Sequence, residues 1–129
     1  MKTNIRSWQA PTEVKVVCSL FVGVALAYLL LAVVMLTAPG ASPRTILMPV
    51  TSLLFGVLVA AGIALRMAFA RIAGYAVVVI FGVLHAFFLM GAELLWVKLF
   101  SAVAAAGYIY AGVLLSSGPV RRFVLGDAA

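Results

Sequence analysis

The chain has 129 residues, of which 67% are hydrophobic and only 9% are charged, and its formal net charge at pH 7 is +6. Because about a quarter of the residues in a soluble domain are charged, this composition excludes an ordinary soluble fold. The basic residues lie at the ends of apolar segments, which argues for a topology signal and against nucleic-acid binding. We therefore expect an all-α integral membrane protein.

Four apolar segments are long enough to cross a hydrocarbon core of about 30 Å as helices. They predict spans at about residues 14–37, 46–65, 72–90 and 97–116, within a single membrane domain of residues 1–129. The first segment is expected to be a retained span, because its apolar run exceeds the roughly 7–15 residues of a signal peptide. The predicted fold is a four-transmembrane-helix bundle made of two helical hairpins.

The first two connections are predicted from different signals. A loop dense in residues that stop helices runs from Thr37 to Arg44. Arg66 and Arg71 bracket the second connection, in which no residue breaks a helix. Only their charge argues for a turn there, because a charge at the bilayer centre costs several kcal/mol.

The third connection lies inside the apolar stretch from Ile72 to Ser117. As one helix this stretch would run roughly 70 Å, over twice the thickness of the hydrocarbon core, so it must fold back once. Glu93 and Lys98, with Gly91 and Trp96 beside them, mark the turn, since charges and tryptophan favour the membrane boundary.

The orientation follows from the distribution of basic residues. Gly118-Pro119 ends the fourth span and a basic tail follows it. Two basic residues, Arg44 and Lys98, lie on the side of the 38–45 and 91–96 loops. The seven others lie on the side of the termini: Lys2, Arg6, Lys15, Arg66, Arg71, Arg121 and Arg122. This asymmetry predicts that both termini are cytoplasmic.

His85 is the only histidine, and its position predicts that it lies within the outer half of the third span. An ionisable residue inside a membrane is a functional-site hypothesis by default. A neutral imidazole can instead bridge two helices through hydrogen bonds of about 1 kcal/mol each, and we favour this structural account. The other members of the candidate polar cluster are Ser52, Ser101 and Tyr28 at a similar depth, with Thr51 beside them, and Glu93 and Lys98 at the outer turn.

Each span also carries small residues four positions apart, which allow helix backbones to approach closely in a membrane. They favour a compact bundle and are also compatible with a face that forms a dimer, and they do not choose between the two. Of Tyr108 and Tyr110 in the fourth span, at least one should face the interior, because a buried hydroxyl needs a partner. The predicted packing residues are Gly23, Ala27, Gly56, Ala60, Gly82, Ala86, Gly107 and Ala111.

Sequence patterns that carry catalysis are missing. There is no catalytic Ser/His/Asp or Cys/His arrangement, no carboxylate pair and no phosphate-binding glycine loop, so we expect no enzyme. A single histidine without a second ligand argues against haem or a metal, so no cofactor is expected. Cys18 is the only cysteine and cannot form an internal disulfide.

Three segments carry a family resemblance: Ala10-Pro-Thr-Glu-Val-Lys15, Phe69-Ala-Arg-Ile72 and Leu114-Leu-Ser-Ser-Gly-Pro-Val-Arg-Arg-Phe123. Together they resemble small bacterial four-transmembrane-helix inner-membrane proteins that have no established activity. Phe69 stands where a tryptophan is usual in that set. The resemblance implies a multi-pass protein of the bacterial inner (plasma) membrane and transfers no site residue.

Two hypotheses about function follow. The favoured one is a small membrane accessory or scaffold protein that acts through helix–helix contacts and has no chemistry of its own. The alternative is an oligomeric small-solute or ion transporter or channel that uses the outer polar cluster around His85 and Glu93. Expected partners are the lipid bilayer and either further copies of the chain or a larger membrane protein, without nucleic acid.

Overall fold

A computed structural model describes residues 10–126, and this part of the chain is helical with no strand. Four helices are long and apolar enough to cross a membrane, which confirms the all-helical prediction and the number of candidate spans. Their ends lie within one helical turn of the predicted ones. Lys2 and Arg6, which the orientation prediction counts, lie outside the described residues. The α-helices are α1 (Thr12–Met35), α2 (Leu47–Ala64), α3 (Phe69–Gly91), α4 (Leu95–Leu115) and α5 (Gly118–Leu125), and a 3-10 helix (Pro43–Ile46) leads into α2.

Each long helix packs against two others. The most extensive contacts join α1 to α2 and α3 to α4, and further contacts join α1 to α4 and α2 to α3. The shared interior is filled by large side chains, and α5 packs against α1 and α4 at one end. Among the largest fully buried residues are Phe21, Ile63, Tyr108 and Leu115.

The connection between α2 and α3 is closed by a helix-terminating motif. Arg66 adopts a left-handed backbone conformation, with φ at 61°. Its N–H donates to the carbonyl of Ile63 at 3.0 Å, and the N–H of Met67 donates to the carbonyl of Gly62 at 2.8 Å. This is the Schellman pattern, which glycine usually completes. Here an arginine completes it, and its guanidinium lies 4.2 Å from the centroid of the Phe123 ring.

The segment after α4 forms a helix where the sequence predicted only a basic tail. The fourth span does end before Gly118, but the Ser117 hydroxyl caps a new helix by accepting from the N–H of Val120 at 3.5 Å. Proline occupies the first turn of α5, where its missing N–H costs nothing. The helix is amphipathic: Val120, Phe123 and Val124 are buried, whereas Arg121 and Arg122 are exposed.

Small residues support close helix packing at most of the expected positions. A Cβ added at Gly56 would collide with the backbone carbonyl of Phe21, so α1 and α2 require a glycine there. A Cβ at Gly107 would lie 3.1 Å from Val24, and one at Gly82 would lie 3.7 Å from Tyr108. Two of the predicted alanines, Ala60 and Ala111, are buried, and the other two, Ala27 and Ala86, are half-buried.

Gly23 departs from this pattern. It is exposed, and a Cβ added to it would meet nothing within 4 Å. The sequence prediction also missed two close approaches. A Cβ at Gly62 would lie 2.8 Å from that of Ala70, and a Cβ at Gly74 would lie 2.9 Å from Leu115. The four-residue spacing does not distinguish inward from outward faces, because apolar residues cover each helix all round.

Candidate functional site

His85 lies inside a cage of aromatic rings. Its side chain is fully buried on α3. The Tyr28 ring of α1 meets the imidazole edge-on, with centroids 4.8 Å apart. The Tyr108 ring of α4 stacks on it at 5.8 Å with an interplanar angle of 19°. Phe88 and Phe100 contact it edge-on, each at 5.8 Å. Aromatic edge and face contacts therefore hold this side chain in place.

Three buried polar atoms beside these rings have no hydrogen-bond partner among the described residues. They are both ring nitrogens of His85 and the hydroxyl oxygen of Ser101. Among residues 10–126 the predicted hydrogen-bonded bridge through His85 is therefore not formed, and four aromatic rings contact the imidazole instead. An unsatisfied buried polar group costs about 1–3 kcal/mol, so this cluster calls for an explanation.

One hydrogen bond does cross the interior at this level. The hydroxyls of Ser52 on α2 and Tyr108 on α4 lie 3.2 Å apart. Ser52, Ser101 and Tyr28 are all buried, and the ring of Tyr28 contacts His85 directly. The hydroxyl of Thr51 instead donates to the carbonyl of Leu47 on its own helix at 2.9 Å.

Tyr108 links the hydrogen bond to the aromatic cage, although the candidate cluster did not include it. It is 1% exposed, whereas Tyr110 is 51% exposed, which confirms that one tyrosine of the pair faces inward. Tyr108 follows Ser101 by two helical turns and so shares its face of α4. That spacing is the signal that could have placed Tyr108 in the cluster.

A cavity of about 520 Å³ adjoins the cage at the end of the helices that carries the 36–42 and 92–94 connections. Tyr28 and Phe88 belong both to its wall and to the cage, so these two rings adjoin both the cavity and His85. Arg44 and Glu93 also line the cavity, and both are exposed. We call this space the outer cavity.

Glu93 and Lys98 have different surroundings in the structure. Lys98 donates from its ammonium nitrogen to the carbonyl of Leu89 at 3.0 Å and to that of Met90 at 3.5 Å. A cation at these carbonyls stabilises the end of α3. Glu93 instead lines the outer cavity, as Arg44 does.

A second group of polar contacts joins α3 to the opposite end of α4. Arg71 donates from Nε and Nη2 to the carbonyl of Leu115, at 3.1 and 2.9 Å. The hydroxyls of Tyr75 and Ser116 lie 2.6 Å apart beside it. Arg71 therefore satisfies a carbonyl at the end of α4 with a positive charge, which indicates a structural role.

Within residues 10–126, no three His, Cys, Asp or Glu side chains lie together as a metal site would require. Comparison of the chain with protein families, with curated proteins and with solved structures finds no match. The resemblance to small bacterial four-span proteins therefore stays a prediction.

Proposed function

We propose that this chain is a four-span bundle of the bacterial inner membrane, with both termini in the cytoplasm, and that it acts as an accessory or scaffold protein through helix–helix contacts. The contacts of each long helix with two others support the bundle. The basic residues Lys15, Arg66, Arg71, Arg121 and Arg122 lie at the ends of helices on one side, which supports the orientation.

The observation that carries the proposed role is an unused small-residue face on α1. Ser19 and Gly23 lie one turn apart, and both are exposed. Ala27 continues the row and is half-buried. Such a row lets the backbone of another helix approach closely. Gly56 and Gly107 already serve contacts within the chain, whereas the Gly23 face is free within the described residues to contact a helix of another polypeptide.

A groove between α2 and α3 adds to this support. It has a volume of about 710 Å³, and its walls include Phe55, Leu58, Phe69 and Ile80. All four of these side chains are exposed. A broad apolar groove of this kind suits a second helix as well as lipid chains.

The packed interior favours a contact-based role over passage of a solute through the chain. Phe21, Ile63, Phe81 and Leu115 are buried in one core cluster, and α5 adds Phe123 to it. Tyr28 and Phe88 belong to the wall of the outer cavity. Within the described residues, the interior of a single copy is therefore filled by packed side chains.

The proposed role is tested by native mass spectrometry of the protein extracted from its own membrane into lipid nanodiscs. We expect a species heavier than the single chain, either a homo-oligomer or a complex with another polypeptide. Gly23→Leu should convert it to the single chain, because the added side chain blocks close approach. Ala106→Leu, at another exposed position, is the matched control and should leave the mass unchanged. A monomer in the unsubstituted protein would contradict the proposal.

The orientation has its own test in a Cys18→Ser background. Cysteines placed at Ala38 and at Arg121 should differ in their labelling by a membrane-impermeant thiol reagent applied to spheroplasts. We expect Ala38→Cys to react and Arg121→Cys to react only after the membrane is opened. The reverse pattern would overturn the proposed topology.

A second candidate function is transport or conduction by an oligomer. The unpartnered nitrogens of His85 behind the outer cavity favour it, because unsatisfied polar groups in a membrane interior mark solute and proton paths in transport proteins. His85→Ala and Glu93→Gln should then lower flux in proteoliposomes. Unchanged flux in both variants would remove this candidate.

A further inference from the structure

The outer cavity has the size and wall chemistry of a ligand site. Its volume of about 520 Å³ lies within the range of roughly 300–1,000 Å³ that is usual for small-molecule pockets. Most of its wall is apolar and includes Leu31, Met35, Met48 and Val97. An alkyl chain is the ligand group that such a wall accepts, because it packs against apolar side chains by van der Waals contact and requires no polar partner.

The charged part of the cavity comes from two separate elements. Arg44 belongs to the 3-10 helix, where Ser42 accepts a hydrogen bond from its backbone N–H at 3.2 Å. Glu93 belongs to the connection between α3 and α4. Lys98, the other basic residue at this end, is engaged with helix carbonyls. The cavity therefore presents one cation and one anion, from two different segments, beside an apolar body.

Opposite charges around one cavity select the charge pattern of the ligand. A fatty acid or an anionic lipid would meet Arg44 favourably but would be repelled by Glu93. A cationic amphiphile would be attracted by Glu93 but repelled by Arg44. A headgroup that carries both a phosphate and an ammonium satisfies both side chains at once.

The hydrogen-bond donors and acceptors of the cavity restrict the kind of headgroup further. A guanidinium binds phosphate oxygens through paired N–H donors. A carboxylate accepts hydrogen bonds, so it favours an ammonium group that has N–H donors over a quaternary ammonium, which has none. Thr45 also lines the cavity beside Arg44 and offers a hydroxyl donor for the phosphate.

We propose that the outer cavity binds one phospholipid with a primary-amine zwitterionic headgroup, with its phosphate at Arg44, its ammonium at Glu93 and part of one acyl chain in the apolar body. The outer leaflet supplies this lipid if the proposed orientation holds. The site thus goes beyond the proposed helix-contact role and assigns a lipid ligand to the chain. Tyr28 and Phe88 form the base against which the acyl chain packs.

The test measures lipid retention by native mass spectrometry of delipidated protein. Phosphatidylethanolamine, phosphatidylglycerol and phosphatidylcholine with identical acyl chains are supplied at equal concentration. We expect the ethanolamine lipid to be retained about fivefold better than either of the others, a preference typical of one exposed charge contact. Water-soluble glycerophosphoethanolamine should not displace it, because that compound lacks the acyl chains.

Two substitutions separate the two charge contacts. Glu93→Gln should lower retention of the ethanolamine lipid about fivefold and raise that of the glycerol lipid, because it removes a repulsion as well as an attraction. Arg44→Gln should lower retention of all three lipids. The matched controls are Glu13→Gln and Arg121→Gln, which neutralise one acid and one base at the other end of the helices and should change nothing.

A third substitution tests the cavity itself. Ala92→Phe narrows the cavity and should reduce retention of all three lipids, whereas Ala106→Phe on the exposed face of α4 should not. Equal retention of the three lipids, or no effect of both Glu93→Gln and Arg44→Gln, would overturn the proposal. Retention is measured on the single chain as well as on any complex, so loss of the proposed oligomer leaves this result interpretable.

Discussion

The imidazole of His85 stacks on the phenol ring of Tyr108, with ring centroids 5.8 Å apart and planes inclined by 19°. The buried polar atoms of the two residues differ in whether they have a hydrogen-bond partner. The Tyr108 hydroxyl forms a hydrogen bond with the hydroxyl of Ser52, whereas neither ring nitrogen of His85 has a hydrogen-bond partner within the described residues. Stability measurements can distinguish these two situations.

The unpartnered nitrogens predict that His85 costs stability. His85→Leu removes both buried polar atoms, whereas His85→Gln keeps a polar group in the same apolar surroundings. We expect the free energy of unfolding to be higher for the leucine variant than for the glutamine variant by about 1–3 kcal/mol. Thermal unfolding of the two variants in the same detergent gives the comparison. A more stable glutamine variant would show that the cage supplies a hydrogen-bond partner to a polar side chain.

The Ser52–Tyr108 hydrogen bond predicts a measurable coupling between α2 and α4. Ser52→Ala and Tyr108→Phe each leave the other hydroxyl buried without its partner. The double variant should therefore be destabilised less than the sum of the two single variants, by about 0.5–1.5 kcal/mol. A double-mutant cycle measured by denaturant unfolding tests this. Full additivity would mean that the two hydroxyls do not interact.

Gly56 and Gly23 form a matched pair for mutation, because one is tightly packed against a neighbouring backbone and the other has open space beside it. Gly56→Ala places a methyl group against the backbone carbonyl of Phe21 and should lower the free energy of unfolding by about 1–3 kcal/mol. Gly23→Ala meets open space and should stabilise the isolated chain by up to about 1 kcal/mol through helix propensity. Unfolding of both variants in detergent, as monomers, supplies the test. Equal effects would contradict the described contact between α1 and α2.

Arg66 has a strained backbone conformation and a favourable side-chain contact. Two variants distinguish the contributions of these two features to stability. Arg66→Gly and Arg66→Ala both remove the guanidinium from the Phe123 ring, but only glycine adopts the left-handed conformation without strain. The glycine variant should therefore exceed the alanine variant in stability by about 1 kcal/mol. Thermal unfolding of the two proteins side by side is sufficient. No difference would indicate that the turn changes conformation when the arginine is removed.

The four apolar helices, their approximate ends and a turn within residues 91–96 could be predicted from the sequence, and the structure has the connection at residues 92–94. Length, hydropathy and the position of charges are properties of each segment alone, and the bilayer imposes the same length on every span. The turn at Arg66 was predicted from charge, but its mechanism was not, because an arginine in a position that glycine usually takes has no local signature.

What the sequence determined about the candidate site was which polar residues fall inside apolar segments: His85, Ser52, Ser101 and Tyr28. The tertiary structure decided which atoms meet: it placed Tyr108 against Ser52, surrounded His85 with aromatic rings, turned Lys98 to the end of α3 and placed Arg44 and Glu93 on the wall of one cavity. In a membrane chain, apolar residues cover every face of each helix, so the sequence carries no amphipathic signal for rotation. Close packing between backbones sets that rotation, and with it the partners of every buried polar group.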